Sequence, residues 1–293
     1  MSERSKAAML LVLCAVLFST GGLLIKGIAL PALAIAGLRS AIAAAFLLLV
    51  IQPPRFHWSW LHIGGGLACA ASMVGFVVAT KLTTAANAIF LVYTASLYVA
   101  LLSAWFLQEP IRRFDWLTIG LALIGMACFC FERLSSDGWV GNFCALGSGM
   151  ATAWLVLCLR KQHAAAPLSI MLLGNVLAAL VGVPFMFEAM PDPVSWLALL
   201  LSEVVQLGMP LMLYCMAIAY VRAIEAVLIP IIEPLLNPLW VFLLLGEVPS
   251  VWTLVGGGIV LGAVTARGLG ILNLTETWVT EERWSVRQGA TQQ

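Results

Sequence analysis

The fold class this chain predicts is an all-α integral membrane protein, with ten transmembrane helices arranged as two inverted five-helix repeats. Three observations predict it. Ten long apolar stretches fill almost all of the 293 residues, and the second five repeat the layout of the first five about 137 residues later. The composition is 62% hydrophobic and only 10% charged, with a mean hydropathy of +1.03. A soluble domain carries about 25% charge, so a wetted surface is excluded over this length. The net charge of +1 argues against a nucleic-acid partner, which requires a basic face.

A bilayer core takes roughly 20 apolar residues per helix. That places spans at 7–26, 31–51, 59–80, 85–106, 116–132, 139–159, 167–187, 195–217, 224–245 and 252–272. The first span carries Ser19 and Thr20 before Gly21-Gly22, and hydroxyls in membrane helices mostly bond to their own backbone. The second opens at Pro31 and carries Arg39 about eight residues in, or ~12 Å along the helix. An Arg at that depth either snorkels to the outer interface or anchors the fold through a carbonyl or an acid. In the fourth span Asn87, Thr94, Tyr98 and Trp105 share one stripe, suited to a cavity wall with aromatic surface and hydroxyls; Trp105 reads as an interface anchor. The tenth span carries Gly256, Gly257, Gly258 and Gly262, with Gly258 and Gly262 spaced to permit close helix approach, and with Gly120 and Gly125 in the fifth span this reads as scaffold packing.

The repeat is clearest where Phe106-Leu107-Gln108-Glu109 with Trp116 is answered by Leu244-Leu245-Gly246-Glu247 with Trp252. Phe18 maps onto Trp154 and Pro31 onto Pro167 at an offset of 136, while Glu109 maps onto Glu247 at 138. Each half therefore holds five spans. Five is odd, so the second copy enters the membrane from the opposite face, as inverted-repeat transporters do. The expected units are 1–136, 137–272 and a polar cytoplasmic tail at 273–293. Basic residues set the orientation. With a cytoplasmic N-terminus, that side holds Arg4, Lys6, Arg55, Arg112, Arg113, Arg160, Lys161, Arg222, Arg267, Arg283 and Arg287, against Lys26, Lys81 and Arg133 outside. The expected location is the inner (cytoplasmic) membrane, with both termini cytoplasmic.

Polar residues at membrane depth are where function is sought, because a central charge costs about 2.5–3.5 kcal/mol or more. The eighth span offers Glu203, Gln206, Pro210 and Tyr214, at spacings that keep all four on one helical face. In the ninth, Pro230, Pro234 and Pro238 recur every fourth residue, which removes the usual donors to the carbonyls of Ala226, Pro230 and Pro234. Free carbonyls at this depth need protein or water. Glu233 and Asn237 stack one turn apart in the same stretch. The candidate substrate-binding set is Glu233, Asn237, Glu203, Gln206, Tyr214, Tyr98, Thr94, Asn87 and Trp154, with Glu233 also the candidate coupling group and Arg39 a structural anchor. The seven cysteines lie in or beside spans and read as small apolar packers, and His57, His62 and His163 read as solvated or headgroup-facing residues of cytoplasmic loops or helix ends. No cofactor, metal or catalytic constellation is predicted.

The segments Gly37-Leu38-Arg39-Ser40-Ala41 and Ile232-Glu233-Pro234, together with the paired runs ending at Glu109 and Glu247, resemble the EamA group of the drug/metabolite transporter superfamily. The resemblance covers residues 7–272. It implies transport of small metabolites, amino acids or drugs, often outward and proton-linked. It also implies a central cavity inside spans 1–4 and 6–9, with spans 5 and 10 at the periphery. One departure is Gln108, where the family commonly has Gly.

The predicted function is therefore transport of small organic metabolites such as amino acids, most often export, by alternating access and with protons as a candidate second partner. The lipid bilayer is the surrounding partner, and the chain acts as a monomer or homodimer. An uncoupled facilitator is the alternative within transport. A membrane-embedded enzyme or sensor is the alternative outside it, and internal duplication disfavours it.

Overall fold

The computed structural model describes residues 3–19, 30–50, 58–83, 85–109, 111–130, 138–162, 167–186, 196, 199–200, 203–245, 251–252 and 254–266. Among them there are helices and turns and no strand. Helix occurs in every one of the ten expected stretches. Five are long and apolar enough to cross a membrane by themselves: Ala32–Val50, Trp60–Leu82, Ala88–Phe106, Trp139–Lys161 and Pro167–Met186. The first helix is Glu3–Ser19, the fifth Arg113–Cys130 and the tenth Leu254–Ala266. Ordinals of spans below refer to these helices in chain order.

Three spans depart from a continuous α-helix, each for a local reason. The fourth breaks into Ala85–Val92 and Ala95–Phe106 around a turn at Tyr93 and Thr94, where the Thr94 hydroxyl donates to the Leu91 carbonyl at 2.5 Å. The eighth passes through a π-helix, Val204–Gly208, before the α-helix Met209–Ile218. A π-turn holds more residues than an α-turn and rotates everything after it. The ninth runs as helix Ala223–Leu228, a 3-10 segment Ile229–Ile232, then helix Glu233–Leu245. The change of helix type falls where Pro230 and Pro234 withhold amide hydrogens.

The main core is built from small and branched apolar side chains such as Ala43, Leu47, Ala153, Leu157, Ile170 and Leu228, all under 1% exposed. It joins both halves of the chain. The third span packs on the sixth and seventh, the second on the seventh, and the first on the eighth and ninth. Backbones meet where side chains vanish: a Cβ added at Gly182 lies 2.4 Å from the Gly37 Cα. The fifth and tenth spans meet in the same way, a Cβ at Gly256 standing 2.4 Å from the Gly125 carbonyl oxygen. Gly120, Gly258 and Gly262, expected to share that packing, face open space instead. The outer face is apolar, with Leu49, Leu101, Leu180 and Leu254 more than half exposed. Trp58, Trp60, Trp105 and Trp139 stand exposed near helix ends, as aromatic belts do at membrane interfaces.

One expectation is corrected. His62 is fully buried in the first turn of the third span rather than solvated; that turn is capped by the Ser59 hydroxyl, which accepts from the His62 amide at 3.2 Å. Gln108 carries the turn after the fourth span at a φ of 58°, a left-handed conformation in which glycine is cheapest. His57, His163, Glu247, Arg133 and the tail from 267 lie outside the described residues.

Candidate functional site

A cavity of about 240 Å³ opens among the first, second, third, fourth, sixth, seventh, eighth and ninth spans. Its wall is largely apolar, supplied by Phe18, Met73, Phe76, Ile89, Val92 and Leu155. Polar groups interrupt that wall at few places. Ser72 and Thr152 meet across the third and sixth spans with their hydroxyl oxygens 2.6 Å apart, and Ser148 donates to the Ser72 carbonyl at 2.8 Å. From the eighth span come Gln206 and Tyr214, and from the ninth Pro230 and Glu233.

Of the expected binding residues, Glu233, Gln206 and Tyr214 line this cavity, and Arg39 joins them from the second span. Glu203 does not. Its carboxylate is 2% exposed and pairs with the Arg39 Nε at 3.0 Å. The single face expected for Glu203, Gln206, Pro210 and Tyr214 is thus divided, because the π-turn falls between its first and last members. Pro210 presents its carbonyl to the Cys14 thiol at 3.4 Å.

The stripe expected in the fourth span is also redistributed. The break at residues 93 and 94 turns Tyr93 inward, while Thr94 spends its hydroxyl on Leu91 and faces Gly149 of the sixth span. Tyr98 packs as a partly buried member of the main core, and Trp154 stacks against Phe106 with centroids 5.1 Å apart; neither lines the cavity. The side chains of Asn87 and Asn237 lie outside the described residues.

Tyr93 is the residue that the sequence did not single out. Its hydroxyl lies 2.8 Å from the Glu233 Oε2 and 2.9 Å from the Pro230 carbonyl oxygen, so it ties the first half to the broken ninth span. One of the carbonyls expected to lack a donor has found one, and the Glu233 amide supplies another. The only available signal was indirect: an orphaned carbonyl at membrane depth demands a donor, and Tyr93 stands one residue off the stripe that was read as inward.

Beyond the cavity, one end of the bundle is closed by ion pairs between segments far apart in sequence. Arg160 donates to Glu109 at 2.9 Å and to the Ala219 carbonyl at 2.8 Å, and Glu109 also accepts the Ala223 amide at 2.9 Å. Arg222 pairs with Asp115 at 3.3 Å, and Arg4 pairs with Glu225. Lys161 donates to the Phe106 carbonyl at 3.0 Å and lies over the Phe106 ring. The cavity occupies the middle of the bundle and the part leading away from this end, where Thr80 and Ser19 sit at the last turns of the third and first spans.

Comparison with known proteins agrees with this architecture. A solved crystal structure superposes with a TM-score of 0.77 at 19% identity, covering 89% of this chain and 96% of that one; at that identity the likeness is one of fold. An uncharacterized transporter of Archaeoglobus fulgidus is 28% identical over 197 residues, covering 66% of this chain and 70% of its own length. The model of the EamA-like transporter family matches twice, over residues 5–131 and 139–266. With the match spanning nearly the whole sequence in two copies, the chain belongs to the EamA-like transporter family.

Proposed function

We propose that this membrane transporter carries small organic metabolites, amino acids foremost, outward across the cytoplasmic membrane in exchange for protons bound at Glu233. Ten spans in two inverted five-helix halves rock about the central cavity, and both termini face the cytoplasm. The observation that carries the reading is an acid placed in a mostly apolar cavity, beside a helix break, in a bundle closed at one end. An acid so placed is worth its cost only where it meets a cation or a proton. The double family match supports the duplicated architecture, and an odd number of spans per half supports its inversion. By the distribution of basic residues the closed end is cytoplasmic, so the conformation described is the outward-facing one. The cavity suits a substrate with an ammonium group: Glu233 offers the acid, and the aliphatic and aromatic wall accepts an apolar side chain.

The test is a proteoliposome transport screen against an amino-acid and metabolite panel, with and without a pH gradient, comparing wild type with Glu233→Gln. Gln keeps shape and hydrogen bonding but cannot release a proton. The expected result is a folded variant whose transport no longer responds to the gradient. Wild-type rates with an unchanged pH response in Glu233→Gln would leave an uncoupled facilitator as the better description.

A further inference from the structure

Tyr93 has one hydroxyl hydrogen and two acceptors within reach, Glu233 Oε2 at 2.8 Å and the Pro230 carbonyl at 2.9 Å. It cannot donate to both fully. The Pro230 carbonyl cannot turn to its usual partner, because the residue one turn on is Pro234, which has no amide hydrogen; the tighter bond from the Glu233 amide is its only other donor among the described residues. We propose that Glu233, Tyr93 and the Pro230 carbonyl form a single proton-binding relay that transmits the charge state of Glu233 into the helix break of the ninth span. This rests on the reading of Glu233 as the coupling acid and adds how its proton is felt by the backbone.

When Glu233 is ionised it has only acceptors, so Tyr93 turns its hydrogen to the carboxylate and the Pro230 carbonyl loses it. When a proton arrives from the cavity, the carboxyl gains a donor of its own. That O–H donates to the Tyr93 oxygen, Tyr93 turns its hydrogen to the Pro230 carbonyl, and every acceptor in the row is satisfied. The proton count balances at one, taken from or returned to the cavity. In the protonated state the first half is tied to the backbone of the ninth span; in the ionised state it is tied to a side chain that can swing. The two states therefore differ in how firmly the fourth span grips the junction between the 3-10 segment and the helix Glu233–Leu245.

Among the described residues the groups nearest the relay are uncharged thiols and a phenol. Cys14 of the first span lies within electrostatic reach of Glu233, and Tyr214 of the eighth within reach of Tyr93. Cys215 stands near Cys14 and Tyr214. The described ion pairs do not include Glu233; Arg39, the nearby cation of the cavity wall, is engaged by Glu203.

Infrared difference spectra of the full chain in lipid nanodiscs, recorded between acid and alkaline pH, test this directly. A protonated-carboxyl band that is present in wild type and absent from Glu233→Gln belongs to Glu233. In Tyr93→Phe that band is expected to move to the position of an acid lacking its acceptor. A proline-carbonyl band, identified with [1-13C]proline, should appear in the wild-type difference spectrum and vanish in Tyr93→Phe. If Tyr93→Phe yields no folded protein, wild type decides alone: bands from ring-deuterated tyrosine and from labelled proline must follow the same pH midpoint as the Glu233 carboxyl. A Glu233 band that ignores Tyr93→Phe, or tyrosine and proline bands that stay silent while it titrates, overturns the relay and leaves the coupling reading standing. Absence of any Glu233-dependent carboxyl band, with transport in Glu233→Gln still responding to the gradient, overturns both.

Discussion

Arg39 and Glu203 show how one residue's meaning depends on a partner far along the chain. Both sit at membrane depth, both are more than nine-tenths buried, and the Arg39 Nε meets the Glu203 Oε1 at 3.0 Å. A buried pair of this kind adds little net stability, but removing one member leaves an uncompensated charge that costs about 3–5 kcal/mol. Arg39→Lys should therefore lower the yield and thermal stability of folded protein more than it changes the apparent KM of what survives, because an ammonium lacks the planar fork of donors. Size-exclusion yield and thermal unfolding in detergent measure the first effect, and proteoliposome kinetics the second. Normal yield with a large rise in KM would make Arg39 a substrate ligand instead. An acid was among the anchors expected for Arg39, yet Glu203 itself read as facing the cavity. The π-turn that separates it from Gln206 and Tyr214 leaves no mark in residue type. Tyr93 escaped for a similar reason: its break contains neither Gly nor Pro, only Thr94 capping back onto Leu91.

At the scale of the element, the ninth span was the most legible. Prolines at every fourth position forecast lost amide donors, and the helix changes type twice within Leu228 to Glu233. What the pattern lacked was the identity of the rescuing donor, since that comes from the fourth span 137 residues earlier (Tyr93 to Pro230). The break gives up backbone hydrogen bonds that a continuous helix would keep. Pro234→Ala returns an amide to the Pro230 carbonyl and lets the 3-10 segment run on as α-helix, a gain of about 1 kcal/mol for the added backbone bond. The variant should unfold at higher temperature than wild type and transport more slowly, a trade seen wherever activity needs a strained or mobile element. Thermal unfolding and proteoliposome uptake on the same preparation check both halves; faster transport with a straightened span would remove the break from the mechanism.

For the whole molecule, the duplication and the crowd of basic residues at one end were plain in the sequence, but what those residues do there was not. Arg4, Arg160 and Arg222 read only as orientation signals, whereas each holds an acid on another segment: Glu225, Glu109 and Asp115. Sequence distance hides such pairs, because Glu109 and Arg160 meet only after the fourth and sixth spans have packed. In the alternating-access reading proposed above, their joint effect is to hold that end shut while the cavity lies beyond it. The Arg160–Glu109 pair is less than one-fifth exposed, and a partly solvated pair of this kind contributes about 1 kcal/mol or less. Replacing Glu109 by Gln removes that pair's charge and weakens the cap on the Ala223 amide. A shift of about 1 kcal/mol changes the ratio of closed to open forms by roughly fivefold. Cys158 reports the change: it is fully buried in the sixth span, two residues before Arg160. In a chain with the other cysteines replaced, maleimide labelling of Cys158 from the side of the ion-paired end should be slow in the parent and several-fold faster with Glu109→Gln. Substrate that draws the bundle inward-open should speed the parent toward the same rate. Equal labelling with and without Glu109→Gln, in protein that remains monodisperse, would mean that the ionic end is scaffold and that alternating access opens elsewhere.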